Sequence, residues 1–248
     1  MSRFAEKMAE PRWRELLGMQ RAVLDRLMPS VVGYNLLQLS PIKGLSLCDE
    51  RRVGHYVRLG YGPVVTETAG DPVWSDYADL PIANDCVDIV LLHHAIEFVG
   101  DQHQLLREAK RVLTAGGHLL VVGFNPYSLW PALRRTGLIR GQQPLPQRAI
   151  SPWRLSEWFS LLNFDVLLQQ SYCYLPPRVA HGEGEMDLPL HTPDKCALPV
   201  GLFYVLHARK RTQPVNIIRP QWMSDIASSR NGRRQPVIKG PQVRTSRD

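Results

Sequence analysis

The sequence predicts an α/β protein with a doubly wound, mostly parallel sheet, and three observations within residues 80–117 predict it. Val87 begins the near-continuous apolar run VDIVLL, which is typical of a strand buried on both faces. A stretch with apolar residues at helical spacing follows, and Gly116 and Gly117 then lead into a second apolar run, HLLVVGF. Strand, helix and strand in this order form a βαβ unit, whose crossover is expected to be right-handed.

The helix of this unit has recognisable start and stop signals. Asp101 is a favourable N-cap residue, and Gln104 stands three positions later as a capping-box partner. We expect Gly116 and Gly117 to end the helix, because glycine adopts the left-handed C-terminal position without strain. The core-facing stripe is expected at Leu105, Leu106, Ala109, Val112 and Leu113.

The other elements follow from apolar periodicity and from the positions of proline and serine. Pro29 follows an apolar helical stripe, and Ser151-Pro152 gives an N-cap followed by proline at the first helical position. Residues 127–150 are expected to form a basic loop or helical insertion, and residues 175–200 a lid, a binding loop or a mobile segment. In chain order we expect a helix over 11–28, strands over 34–39, 55–59, 72–74, 87–92 and 118–124, a helix over 152–162, and strands over 164–171 and 202–208.

Charge is concentrated at the carboxyl end of the chain. Residues 209–248 contain ten Lys and Arg against two Asp, a net charge of +8, whereas the whole chain carries +7, so residues 1–208 carry about −1. The basic segment is rich in Pro, Gly and Ser and is expected to be a disordered tail. We therefore predict an amphipathic helix packed on the domain (1–30), an α/β domain (31–212) and a basic flexible tail (213–248).

Composition excludes several classes of protein. No apolar run approaches the roughly 18–20 residues of a membrane span, and the first residues lack the apolar core of a signal peptide, which predicts a cytoplasmic protein without membrane contact. The four cysteines are far apart and form neither a CxxC motif nor a Cys/His cluster, so we expect no metal site and reduced thiols.

The segment from Leu80 through the second apolar run resembles a known family, the class I S-adenosylmethionine-dependent methyltransferases of the type-11 kind, which have a Rossmann-like fold. The pieces NLLQLS, GFNP, WFSLLNFDV and HARKRTQP further resemble uncharacterised predicted methyltransferases of gamma-proteobacteria. The resemblance implies S-adenosylmethionine as cofactor and methyl transfer to an acceptor that the sequence does not identify. It rests on Leu80-Pro81, Val87-Asp88, Asp101, Leu105 to Glu108, Arg111 to Leu113 and Gly116-Gly117.

The resemblance also places candidate cofactor contacts. Asp76 stands where the family has an acidic residue that accepts a hydrogen bond from the adenine amino group, with Tyr77 beside it; the alternative is a solvated loop aspartate. Gln38 and Ser40 align with the family's loop after the first strand. His93 and His94 follow the fourth strand, where the family lines its pocket. Either histidine could deprotonate the acceptor, or both could merely pack and bond to the backbone.

The loop after the first strand departs from the family. The family has a pattern close to D-x-G-x-G-x-G, whereas residues 38–44 retain one glycine, and Pro41 has no amide hydrogen. Two functions therefore stay open: a methyltransferase, or a non-catalytic binding protein on a degenerate methyltransferase fold. The basic tail could bind RNA or DNA through phosphate contacts, or could simply be solvated.

Overall fold

The computed structural model describes residues 11–42, 44–49, 53–61, 73–75, 77–128, 135, 148–172 and 201–212. Within these residues a single sheet has the strand order β3-β2-β1-β4-β5-β7-β6. Strands β1 to β5 are parallel, and β7 lies antiparallel between β5 and β6. The strands are β1 (Asn35–Ser40), β2 (His55–Tyr61), β3 (Val73–Ser75), β4 (Val87–His93), β5 (Leu113–Phe124), β6 (Phe164–Tyr172) and β7 (Phe203–Lys210).

Helices cover both faces of this sheet. Helix α1 (Pro11–Leu27) packs on one face, whereas α2 (Gln102–Val112) and α3 (Pro152–Leu161) pack on the other. Alternate residues of a strand point to opposite faces, so β4 sends Leu91 toward α1 and Leu92 toward α2. The doubly wound, mostly parallel fold class is confirmed.

The N-terminus of α2 is capped as expected, in part. Asp101 accepts a hydrogen bond from the Gln104 backbone N–H at 2.9 Å. The reciprocal half of the predicted capping box is wrong, because the Gln104 amide instead donates to the carbonyl of Ala78 at 3.1 Å. The side chain of Gln104 therefore holds a neighbouring loop and not its own helix terminus. At α3, Ser151 caps the helix through the Arg154 N–H.

The predicted end of α2 is wrong by several residues. The helix ends at Val112, and Gly116 and Gly117 lie within β5, where the β4–β5 pairing shifts register. Lys210, on β7, donates to the carbonyls of Lys110 and Leu113 and so satisfies the helix end from a distant strand. Gly116 keeps a left-handed conformation, φ +78°, but it uses this freedom in the bulged start of β5.

The residues that carry the family resemblance fix the segment before β4. The Arg111 guanidinium donates to the carbonyls of Leu80 and Ile82 at 2.9 and 2.8 Å and to the Asn84 side chain at 2.6 Å. Glu108 accepts from the Leu80 N–H and pairs with Arg111 at 2.7 Å. This part of the signature is therefore structural: it attaches the Leu80-Pro81 segment to α2.

Contacts divide the chain into two units, Met1–Thr212 and Gln213–Asp248. The predicted basic tail, residues 213–248, lies outside the described residues, as do the predicted loop over 175–200 and most of that over 127–150. In the part of the chain that is described, no helix has the length and apolar character to cross a membrane. Among the same residues, no group of three or more His, Cys, Asp or Glu is arranged to hold a metal ion.

Candidate functional site

The site lies at the carboxyl edge of the sheet, between β1 and β4. The connections from β1 and β4 lead to opposite sides of the sheet order, because β2 follows outward from β1 and β5 outward from β4. Open α/β sheets bind ligands in the crevice at such a switch point. Ser40 ends β1 and His93 ends β4, so these two residues lie at the switch point.

Five buried side chains form one hydrogen-bonded series here, which we call the buried polar chain: Ser40, His93, Gln20, His94 and Glu97. Ser40 Oγ contacts His93 Nδ1 at 3.1 Å, and His93 Nε2 contacts Gln20 Oε1 at 2.9 Å. Gln20 Nε2 contacts His94 Nε2 at 3.0 Å, and His94 Nδ1 contacts Glu97 Oε2 at 3.2 Å. Glu97 Oε1 accepts from the backbone N–H of Phe124, the last residue of β5.

The chemistry of each group determines where the hydrogens lie. An amide oxygen only accepts, so His93 carries its hydrogen on Nε2 and accepts the Ser40 hydroxyl hydrogen at Nδ1. The Gln20 amide N–H donates to His94 Nε2, so His94 carries its hydrogen on Nδ1 and donates it to Glu97. Every polar atom of the two imidazoles therefore has a partner while both rings are neutral.

Burial keeps the two histidines of the buried polar chain uncharged. Loss of water lowers the pKa of His94 to about 3. Burial, with a smaller contribution from His94, also holds the pKa of His93 well below its ordinary value. Desolvation raises the pKa of Glu97 well above that of a solvated carboxyl, against the opposing effect of the Phe124 N–H. His94 is therefore neutral at neutral pH, and its contact with Glu97 is a hydrogen bond and not an ion pair with a protonated imidazole.

Backbone geometry holds His94 in place. It has a left-handed conformation, φ 52° and ψ 8°, and its backbone N–H donates to the carbonyl of Val122 at 2.8 Å. Its imidazole stacks on the Phe124 ring with centroids 4.2 Å apart. A left-handed backbone is uncommon for a residue other than glycine, and such conformations concentrate at functional sites.

Gly123 on β5 leaves room for Glu97, the last member of the buried polar chain. A Cβ atom on Gly123 would lie 2.7 Å from the Tyr204 hydroxyl and 3.2 Å from Glu97 Oε1. Tyr204 is fully buried, and its hydroxyl has no hydrogen-bond partner among the described residues. Burial, and then the nearby Glu97, raise the pKa of Tyr204 well above its ordinary value, so this hydroxyl stays protonated.

The loop after β1 is held from beneath by Gln38. Its amide donates to the Leu45 carbonyl at 2.7 Å, and its oxygen accepts from Tyr56 and from the Leu47 N–H. Ser40 Oγ accepts from the Ile42 N–H at 3.2 Å. Both predicted contact residues of this loop thus bond to the chain itself, and a direct contact of either side chain with a ligand stays a prediction.

The remaining predicted site residues lie in different surroundings. Tyr77 is fully buried in the core, where its hydroxyl donates to the Leu59 carbonyl at 2.9 Å. Asp76 lies outside the described residues, so its role stays a prediction. The structure brings His93 and His94 together with Ser40, as their positions at the ends of neighbouring strands predict.

Two members of the buried polar chain were not identified from the sequence. Gln20 lies on the buried stripe of α1, between Leu16 and Leu24. A polar side chain on such a stripe is a signal that could have found it. Glu97 stands three residues after His94 in an otherwise apolar segment, which is a weaker signal of the same kind.

Two known groups of sequences are similar to this chain. Residues 60–121 match a family model described as a methyltransferase domain. The protein YafS of Escherichia coli (strain K12), described as uncharacterized, is 33% identical over 185 residues, which cover 75% of this chain and 72% of YafS.

Two solved structures share the fold. A SAM-dependent methyltransferase from Archaeoglobus fulgidus is 18% identical with a TM-score of 0.55, over 84% of this chain and 98% of that one. A SAM-dependent methyltransferase from Thermotoga maritima is 16% identical with a TM-score of 0.50, over 85% of this chain and 100% of that one.

The strand order and the site at the switch point define an α/β fold of the methyltransferase type. The chain belongs to the same family as YafS, within the type-11 methyltransferase domain group, and the resemblance seen in the sequence is confirmed.

Proposed function

We propose that the protein is an S-adenosylmethionine-dependent methyltransferase. The observation that carries this proposal is the match of residues 60–121 to a methyltransferase domain within a chain whose sheet has a switch point between β1 and β4. When bound, S-adenosylmethionine supplies a methyl group on an activated sulfonium, so the protein has mainly to position the acceptor.

The loop after β1 can bind this cofactor, but it offers fewer backbone N–H donors than the glycine-rich loop of the family. Gly44 faces open space, and the N–H groups of Gly44 and Leu45 have no hydrogen-bond partner among the described residues. Pro41 has no N–H, and that of Ile42 is used by Ser40. We infer that the N–H groups of Gly44 and Leu45 bind the methionine part of the cofactor.

The buried polar chain positions this loop and takes no proton from the acceptor. A general base needs a pKa near the working pH, whereas burial lowers the pKa of both His93 and His94. Each imidazole nitrogen of His93 and His94 already has a hydrogen-bond partner within the buried polar chain. The buried polar chain joins α1 to the ends of β1, β4 and β5, so it fixes these strand ends relative to one another.

Calorimetry with S-adenosylmethionine and S-adenosylhomocysteine tests the proposal, together with native mass spectrometry for co-purified cofactor. We expect both compounds to bind. Asp76→Ala should weaken binding by about tenfold, the effect of one lost hydrogen bond to the ligand. The matched variant Asp79→Ala, on the exposed neighbouring carboxylate, should leave affinity unchanged. Absence of binding to the folded protein would overturn the proposal.

A second candidate is a binding protein without catalytic activity on the same fold. The observation that favours it is the depleted loop, in which Pro41 lacks a donor and the Ile42 N–H is already used. Incubation of the protein with methyl-labelled S-adenosylmethionine and fractions of cell extract separates the two functions. Label transferred to any fraction contradicts the second candidate, whereas cofactor binding without transfer contradicts the first.

A further inference from the structure

A cavity opens where β5 ends and α2 and α3 begin. It measures ≈ 500 Å³, a volume suited to a small organic molecule. Pro126 and Tyr127 bring the chain to it directly after β5, whose last residue Phe124 contacts the buried polar chain. The cavity and the switch point therefore lie at the same edge of the sheet, by the neighbouring strands β5 and β4.

Aromatic rings line this cavity beyond what the core requires. The Trp158 ring lies 3.8 Å from the His103 imidazole, centroid to centroid, at an interplanar angle of 43°. Tyr127 is 65% exposed, so its ring contributes little to the packing of the domain. Exposed and half-buried rings around a cavity provide flat apolar surfaces on which a planar molecule stacks.

The same cavity carries positive charge. Arg148 and Arg154 line it, and none of its described lining residues is Asp or Glu. Arg148 is held by hydrogen bonds from Nη1 to the carbonyls of Val99 and Gly100, which fix the position of the guanidinium without neutralising its charge.

Arg154 supplies the more available cation. Its guanidinium lies over the Trp158 ring at 5.6 Å, and it has no carboxylate partner among the described residues. Arg154 belongs to the first turn of α3, which contains no acidic residue, so the helix dipole adds to the positive potential.

We propose that this cavity binds a planar aromatic molecule that bears a carboxylate or phosphate group, and that this molecule is the methyl acceptor. The ring stacks between Tyr127 and Trp158, and the anionic group pairs with Arg154, since guanidinium binds such groups through paired hydrogen bonds. The role as acceptor rests on the proposed methyltransferase function; the binding of an aromatic anion does not.

The test compares four probes on the full chain, with and without S-adenosylhomocysteine. Indole-3-carboxylate has both features, indole-3-carboxamide lacks the charge, and cyclohexanecarboxylate lacks the aromatic ring. Adenosine 5′-monophosphate carries the same chemistry from a nucleotide source. We expect either aromatic anion to bind at least about tenfold more tightly than both incomplete probes, as measured by calorimetry. Tighter binding of indole-3-carboxylate would indicate an aromatic carboxylate as the ligand, and tighter binding of adenosine 5′-monophosphate would indicate a nucleotide.

Two exposed substitutions locate the site. Arg154→Gln should abolish the preference for indole-3-carboxylate over the carboxamide, and Tyr127→Leu should reduce the preference for aromatic over aliphatic anions. Arg21→Gln, on the exposed side of α1, is the matched control and should change neither. Urea unfolding midpoints should agree among the three variants, because each replaced side chain is exposed.

The outcomes separate this inference from the proposed function. Equal affinity for all probes, or a charge preference that survives Arg154→Gln, overturns the cavity proposal even when S-adenosylhomocysteine binds. Binding of the aromatic anion without any binding of S-adenosylhomocysteine overturns the methyltransferase proposal and leaves the cavity proposal standing.

Discussion

Gln20 joins α1 to both histidines of the buried polar chain through hydrogen bonds, which makes it the most informative position to change. Gln20→Met keeps the length of the side chain and its burial but removes both hydrogen-bonding groups. The His93 Nε2–H and the His94 Nε2 atom then lose their partners at 2.9 and 3.0 Å in a region without exposed surface.

The expected cost follows from these two atoms. A buried donor or acceptor left without a partner costs about 1–3 kcal/mol. The apolar methionine side chain returns roughly 1 kcal/mol by burial. The net loss in the free energy of unfolding should be about 1–5 kcal/mol, a large share of the roughly 5–15 kcal/mol available to a typical domain.

Urea unfolding followed by circular dichroism measures this loss. With a slope of about 2 kcal/mol per molar urea, the midpoint should fall by about 0.5–2.5 M while the slope stays unchanged. Arg21→Met, on the exposed neighbour of Gln20 in α1, is the matched control and should shift the free energy by less than about 0.5 kcal/mol. If Gln20→Met costs no more than this control, the buried polar chain does not hold α1, and the reasoning fails.

Two further predictions concern pH and the family signature. Burial lowers the pKa of the two chain histidines and of His207, the last to about 4, so only the unfolded chain takes up these protons below pH 6.5. The raised pKa of Glu97 acts in the opposite direction, but three histidines outweigh one carboxyl, so unfolding measurements should give a stability that falls as the pH decreases below 6.5; a flat profile would contradict the neutral state of these histidines. Arg111→Met should lower stability by about 2–4 kcal/mol in urea titrations, because it leaves Glu108 and the carbonyls before β4 without their partner. Arg107→Met, on the exposed side of the same helix, should cost less than about 1 kcal/mol, and equal losses would refute the anchoring role.

Much of the fold could be predicted because its signals are local. The apolar run from Val87, the cap at Asp101 and the Ser151-Pro152 start each depend on residues within a few positions of one another. The end of α2 could not be predicted in this way. Its last carbonyls bond to Lys210, which lies nearly 100 residues further along the chain, so the local signal of Gly116 indicated the wrong position.

The candidate site was likewise predicted in part: local signals indicated some of its residues, and contacts between distant segments supplied the others. Ser40 was predicted by alignment with the family's loop after the first strand, and His93 was predicted because it follows β4, at the edge of the sheet where ligands bind. Gln38 and Tyr77 were found by alignment with the family, yet their side chains bond to the chain itself. Gln20 was missed because its partner His93 is 73 residues away, and helical periodicity does not report such a contact.

The sequence by itself determined the order of strands and helices, the family and the edge of the sheet where chemistry is expected, because periodicity, capping and short motifs are properties of neighbouring residues. Only the tertiary structure decided which polar groups meet, in which direction their hydrogens point and which of them stay neutral. Those properties depend on burial and on contacts between distant segments, such as Gln20 of α1 against the histidines that follow β4.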